Sequence, residues 1–233
     1  MRAGPANSLV DVPGLRVGHA QRTGGGHRSG TTVVVAPAGG AVAGVDVRGA
    51  APGTRETELL DPRNLVERVH AVVLSGGSVF GLGAACGVVD RLADAGIGYP
   101  VEGGAVPIVP AAVIFDLGRG GTFRAVPDAA LGAAAYDAAL TPSPEPLSPN
   151  SPRTPAATSA AGGVSASGGV AWTTAPASAN VRPAPGHDLL QDALEAVADV
   201  FSRAVAHAVL AATGREGAPA YLDVFPSALR KEP

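Results

Sequence analysis

Lysine and cysteine occur once each, as Lys231 and Cys86. With its only lysine near the C-terminal end, the chain has no phosphate-loop lysine, and Schiff-base chemistry is disfavoured. Cys86 can form no internal disulfide and reads as a small core residue. Positive charge is also short, because the formal net charge is −3 and no basic stripe is present, so nucleic acid is not an expected partner. The histidines, His19, His27, His70, His187 and His207, fall at no metal-ligand spacing, and H-E-x-x-H is absent. No metal site is therefore expected. No apolar run approaches the roughly 20 residues of a membrane span, and the first residues hold no signal-type apolar stretch, so the chain is predicted to be cytoplasmic with no membrane partner. Small and apolar residues are what it does have. Hydrophobic residues make up 46% of 233 positions, enough for a substantial core.

The pattern centres on Ala71–Leu92. Ala71–Leu74 has the length and β-branched content of a buried strand, Ser75-Gly76-Gly77-Ser78 is a turn, and from Val79 the spacing of Val79, Leu82, Cys86, Val89 and Leu92 predicts a helix. Ser78 is placed to cap that helix. The amides of Gly76 and Gly77, with the helix N-terminus, form a candidate site for an anion or a polarised carbonyl. The simpler alternative is that the glycines only permit a tight turn and close packing. Gly76–Phe80 also approaches a nucleophile elbow, with Phe80 in place of its second glycine. Nucleotide binding is disfavoured because no full G-x-G-x-x-G is present.

Around this centre the sequence predicts an opening strand within Val10–His19 and a glycine-rich hairpin or loop over Gln21–Gly30. Strands follow at Thr31–Ala36 and Ala41–Arg48, paired with each other across a turn at Pro37–Gly40. A polar loop, Gly49–Pro62, carries Arg55, Glu56, Thr57 and Glu58, and Asp61-Pro62 is set to start a short helix to Val69. Gly96–Gly104 reads as strand and turn, Val113–Leu117 as a buried strand, and Asp128–Leu140 as an alanine-rich helix capped by Asp128. Residues 141–163 read as a low-complexity linker inside one domain spanning 1–233. Beyond it are predicted a strand at Gly169–Thr174, a long amphipathic helix at His187–Thr213, and an apolar tail at Ala218–Leu229 that docks on the core.

Five segments together resemble a known family: D-V-P-G-L-R-V-G-H (11–19), G-A-A-P-G-T-R-E-T-E-L-L-D-P (49–62), L-S-G-G-S-V-F-G-L (74–82), V-P-I-V-P-A-A-V-I-F-D-L (106–117) and A-P-A-Y-L-D-V-F-P-S-A-L (218–229). They are similar to the P1 or S58 peptidases, the L-aminopeptidase/D-esterases. The resemblance implies an α/β fold of the αββα-sandwich type, a cytoplasmic homo-oligomer, and hydrolysis of small peptides, amides or esters without a cofactor. It also implies a precursor that cuts itself to expose an N-terminal serine or threonine. In that chemistry a hydroxyl attacks its own preceding carbonyl, an acyl shift leaves an ester, and water releases a chain whose free α-amine then serves the hydroxyl as base.

The nearest match to the family's nucleophile motif is Ala161-Gly162-Gly163-Val164-Ser165-Ala166-Ser167, which makes Ser165 the candidate nucleophile. The motif's lysine is missing here, and Val164 replaces the glycine before the nucleophile. A β-branched residue resists the strained angles of a scissile bond, and the strands that carry the family's downstream serine, glutamate and asparagine helpers have no match here, so the chain is predicted to be mostly uncut, with activity weak or absent. Ser75, Gly76, Gly77, Ser78, Phe80 and Arg55 are the candidate substrate-binding residues. Phe80 stands where many relatives carry tyrosine, which removes a hydroxyl from the pocket. The alternative to an enzyme is a silent homologue that keeps the fold for small-ligand binding or oligomer formation.

Overall fold

The computed structural model describes residues 9–47, 51–118, 121–141, 170–176 and 221–226. A 3-10 turn at Leu9–Asp11 precedes β1 (Arg16–Gly24) and β2 (His27–Val35), which form an antiparallel hairpin through a run of glycines. β3 (Ala41–Val47) follows, then β4 (Thr54–Arg55), a 3-10 turn at Thr57–Leu60, and β5 (Ala71–Ser75). Next come α1 (Ser78–Gly81), α2 (Ala84–Asp94), the hairpin β6 (Tyr99–Val101) and β7 (Gly104–Val106), and β8 (Ala111–Val113). α3 (Ala129–Leu140), β9 (Val170–Pro176) and a helical turn at Tyr221–Val224 complete the described elements.

The fold is mixed α/β. Five strands form one sheet in the order β1-β2-β5-β8-β4, with β5 and β8 parallel and the other pairs antiparallel. Strand alternation sends Val33, Val35, Ala71 and Val73 to one face, where Ala85, Val88 and Leu92 of α2 and Ala135, Tyr136 and Ala139 of α3 cover them. On the opposite face Val34, Val72 and Leu74 pack with Val69, Ile108, Leu59, Leu60 and Ala43 of β3. β3 pairs with β9 in a second sheet. The described residues thus supply helix, sheet and sheet, three layers in the order an αββα sandwich requires. The predicted linker 141–163, except Thr141, and the predicted helix 187–213 lie outside the described residues.

Several local expectations change for physical reasons. β3 does not pair with β2, because both edges of β2 are already taken by β1 and β5. The segment after Asp61 is not helical: Asp61 accepts the backbone amide of Arg63, and Val69 is held extended by bridging Ala41. The last strand of the main sheet is Ala111–Val113 rather than 113–117. Of the predicted tail Ala218–Leu229 only residues 221–226 are described, and there Val224 and Phe225 are each more than half exposed.

On α2 the buried residues are Ala84, Ala85, Gly87, Val88 and Leu92, whereas Val79 and Cys86 of the expected apolar stripe are exposed. The reason is the opposing surface. A Cβ added at Gly87 would overlap the Ala129 carbonyl oxygen, and one at Gly132 the Ala84 carbonyl oxygen, so α2 and α3 touch backbone to backbone. Only the smallest residues fit that contact, and they set the rotation of the helix.

Asp128 caps α3 as expected, accepting from the Leu131 amide at 2.9 Å, and it also receives two 2.7 Å bonds from the Arg22 guanidinium. Arg22 holds the Asp128 carboxyl below its usual range. The ion pair is half exposed and solvent screens it, so the cap is the larger contribution. Asp128→Ala is expected to cost about 1 kcal/mol, and Arg22→Ala less than about 0.5 kcal/mol. Denaturant melts of both variants check the order, and a larger loss for Arg22→Ala would reverse it.

Two histidines make folding pH-dependent. The His19 Nδ1 lies 3.0 Å from the Thr32 hydroxyl, and the His70 Nδ1 accepts the Ile108 amide at 3.1 Å. Burial lowers both below their ordinary 6.5. The unfolded chain therefore takes up protons first on acidification, so their stabilising effect is complete above about pH 6.5 and is lost as pH falls below it. The melting temperature is expected to decline between pH 7 and 5, above the range in which carboxylates titrate. A flat profile there would contradict the assignment.

Candidate active site

β5 is buried on both faces and ends at Ser75 in the middle of the sheet, so the turn after it emerges between β2 and β8. The Ser75 hydroxyl is buried and meets the Thr31 hydroxyl at 2.8 Å, a cross-strand pair in register. Beyond it the ladder continues: Gly76 donates its amide to the Gly30 carbonyl at 3.1 Å and Ser78 donates to the Ile114 carbonyl at 2.9 Å. Between them the Gly77 amide donates to the Asp116 carboxylate at 2.6 Å, whose other oxygen accepts from the Ser29 hydroxyl at 2.8 Å.

This arrangement revises the anion site expected at the turn. The amides of Gly76, Gly77 and Ser78 are all engaged, and the negative charge beside them is the protein's own Asp116. The expected cap is revised too. Gly77 holds the N-cap position of α1 at φ +89°, and Ser78 begins the helix at φ +52°. Glycine adopts that left-handed geometry freely, whereas serine there is strained by about 1–2 kcal/mol. Among the described residues only Glu56 and Ser78 are non-glycines with positive φ.

The outer rim of the turn is apolar and cationic. Phe80 is exposed, and the Arg124 guanidinium lies 4.0 Å from its ring centroid, within cation–π range. A cleft of about 40 Å³ opens alongside, with Arg28, Ser29, Asp116 and Thr122 among its lining residues, room for water rather than for a peptide.

Ser75, Gly76, Gly77, Ser78 and Phe80 are thus brought to one place. Arg55 is not: its guanidinium donates to the Cys86 sulfur at 3.2 Å and lies 3.7 Å from Glu56, which in turn accepts the Val109 amide at 3.0 Å. Ser165 lies outside the described residues. Sequence reasoning missed Asp116, Ser29 and Arg124. Asp116 had one available signal, a lone carboxylate closing the most apolar run of the chain, while nothing local marks Ser29 or Arg124. Among the described residues no group of three potential metal ligands occurs, and no helix is long and apolar enough to cross a membrane.

Comparison with known proteins agrees with the earlier resemblance. An uncharacterized aminopeptidase of Mycobacterium leprae is 49% identical over 150 residues, covering 60% of this chain and 41% of that protein. One from Mycobacterium tuberculosis is 54% identical over 121 residues, 49% of this chain and 35% of that one. A 6-aminohexanoate-oligomer endohydrolase of a Kocuria species is 35% identical over 56% of this chain and 33% of its own length. The chain therefore spans about a third to two-fifths of the relatives it matches. Among solved structures, a Burkholderia beta-aminopeptidase superposes with a TM-score of 0.47 at 22% identity, covering 60% of this chain and 40% of that one. Residues 7–145 match the family model described as Peptidase family S58, a range that includes the glycine turn and Asp116 but neither Ser165 nor the tail at 218–229. On that match, which takes in more than half of its residues, the chain belongs to peptidase family S58.

Proposed function

We propose that this protein is a hydrolase that releases N-terminal residues from small peptides, amides or esters, with Ser165 as a nucleophile exposed by cleavage after Val164. The observation that carries this reading is the S58 match over residues 7–145, which contains the turn built at the end of β5. In this reading Ser75, Gly76 and Gly77 form the floor of the substrate site, and Ser78 and Phe80 form its exposed rim. Arg55, at the end of β4, bonds to Cys86 of α2 and supports the fold there. The free α-amine of Ser165 takes the proton of its own hydroxyl during attack on the substrate carbonyl, so no metal or organic cofactor enters the chemistry. Cytoplasmic location and assembly into a homo-oligomer belong to the same proposal.

Intact-mass measurement beside hydrolysis of an amino-acyl p-nitroanilide tests the reading. A fraction of the chain cut between Val164 and Ser165, with activity proportional to that fraction, is the expected result. A wholly intact chain without activity would favour the silent homologue.

A further inference from the structure

We propose that Asp116 is a positioning residue for substrate, acting through Gly77 to hold the Ser78–Phe80 rim in its working geometry. The inference rests on the proposed hydrolase function and adds a residue outside the candidate set.

Asp116 follows β8 as the chain leaves the sheet, and its carboxylate turns back to join three segments. One oxygen accepts the Gly77 amide at 2.6 Å, and the other accepts the Ser29 hydroxyl of β2 at 2.8 Å. Gly76 is shaped to this contact: a Cβ there would overlap both the Ser29 hydroxyl oxygen and the nearer Asp116 oxygen. The carboxylate therefore fits only against a glycine. What it steadies is strained, because Gly77 at φ +89° is followed by Ser78 at φ +52°. A serine keeps that conformation only where surrounding bonds over-determine it. Two consecutive amides supply those bonds, Gly77 to Asp116 and Ser78 to the Ile114 carbonyl. A charge-assisted bond is the stronger kind, so Asp116 is the principal restraint. Without it the first turn of α1 relaxes and Ser78 and Phe80 move away from the bound substrate.

The rim binds substrate and does not react, so loosening it weakens ground state and transition state alike and appears in KM. Asp116→Ala, Asp116→Asn and Ser29→Ala are compared with wild type as full chains. The readouts are kcat and KM for an amino-acyl p-nitroanilide, the fraction cut at Ser165 by intact mass, and the melting temperature. For Asp116→Ala, KM is expected to rise about tenfold, with kcat per cleaved chain within about twofold of wild type. Asp116→Asn should recover most of the loss, since its carbonyl oxygen still accepts the Gly77 amide and its NH2 can donate to Ser29. Ser29→Ala, which leaves the Gly77 bond in place, should raise KM about threefold. If Asp116→Ala does not fold, Ser29→Ala decides alone. Unchanged KM in the folded variants of an active protein overturns the inference and leaves the hydrolase reading standing. An inactive wild type overturns both.

Discussion

Gly132→Ala is expected to lower stability by roughly 2 kcal/mol, although alanine is the better helix former. The new methyl would overlap the Ala84 carbonyl oxygen, part of the facing helix backbone, and no rotamer change relieves that contact. Overpacking of this kind costs up to about 3 kcal/mol, from which about 1 kcal/mol is recovered as helix propensity. For a chain of this size the net loss lowers the melting temperature by roughly 4–8 °C. Gly87→Ala makes the reciprocal overlap with the Ala129 carbonyl oxygen and should behave alike. Because one small separation of α2 and α3 relieves both contacts, the double variant should lose clearly less than the sum. Additive losses would mean that the two overlaps are relieved independently. A more stable Gly132→Ala would mean that the helices are not in backbone contact.

On the proposed function, Ser165→Ala is expected to leave one intact chain and to abolish whatever hydrolysis the wild-type chain shows, because no other hydroxyl would acquire a free α-amine. Val164→Gly should act in the opposite direction. Glycine accepts the strained angles of a scissile peptide that a β-branched residue resists, so the cleaved fraction rises and activity rises with it. The pair is informative because it separates processing from catalysis. Activity that persists in Ser165→Ala would assign the nucleophile elsewhere. Complete cleavage of the wild-type chain with rapid hydrolysis would show that Val164 imposes no such restraint.

Much of the fold was legible because it depends on local rules. The apolar run Ala71–Leu74 is a strand, and Asp128 caps the helix that ends at Leu140. Prolines 107 and 110 lie in a buried segment outside any strand, where Pro110 donates nothing and its carbonyl accepts the Val73 amide of β5 at 3.0 Å. The family, too, was legible from short segments, since residues 11–19, 49–62, 74–82 and 106–117 all fall within the matched range.

Periodicity failed where a partner's shape decided the outcome. The stripe through Val79 and Cys86 obeys helical spacing, yet it is split between α1, where Val79 is exposed, and α2, where Cys86 is exposed because the helix faces the backbone of α3 through Ala84 and Gly87. The pairing of β3 with β9 likewise depended on which edges of β2 were still open.

Taken alone, the sequence determined the strand Ala71–Leu74 and the hairpin strands before it, where α3 starts, and that a glycine turn follows the central strand. Each of these follows from side-chain spacing, backbone freedom or capping within a few residues. Tertiary structure alone decided which groups that turn's amides bond to. Its three amides are satisfied by Gly30, Asp116 and Ile114, groups 36 to 46 residues away in the chain. Hydrogen-bond acceptors are supplied by whichever strands become neighbours, and no local pattern specifies that neighbourhood.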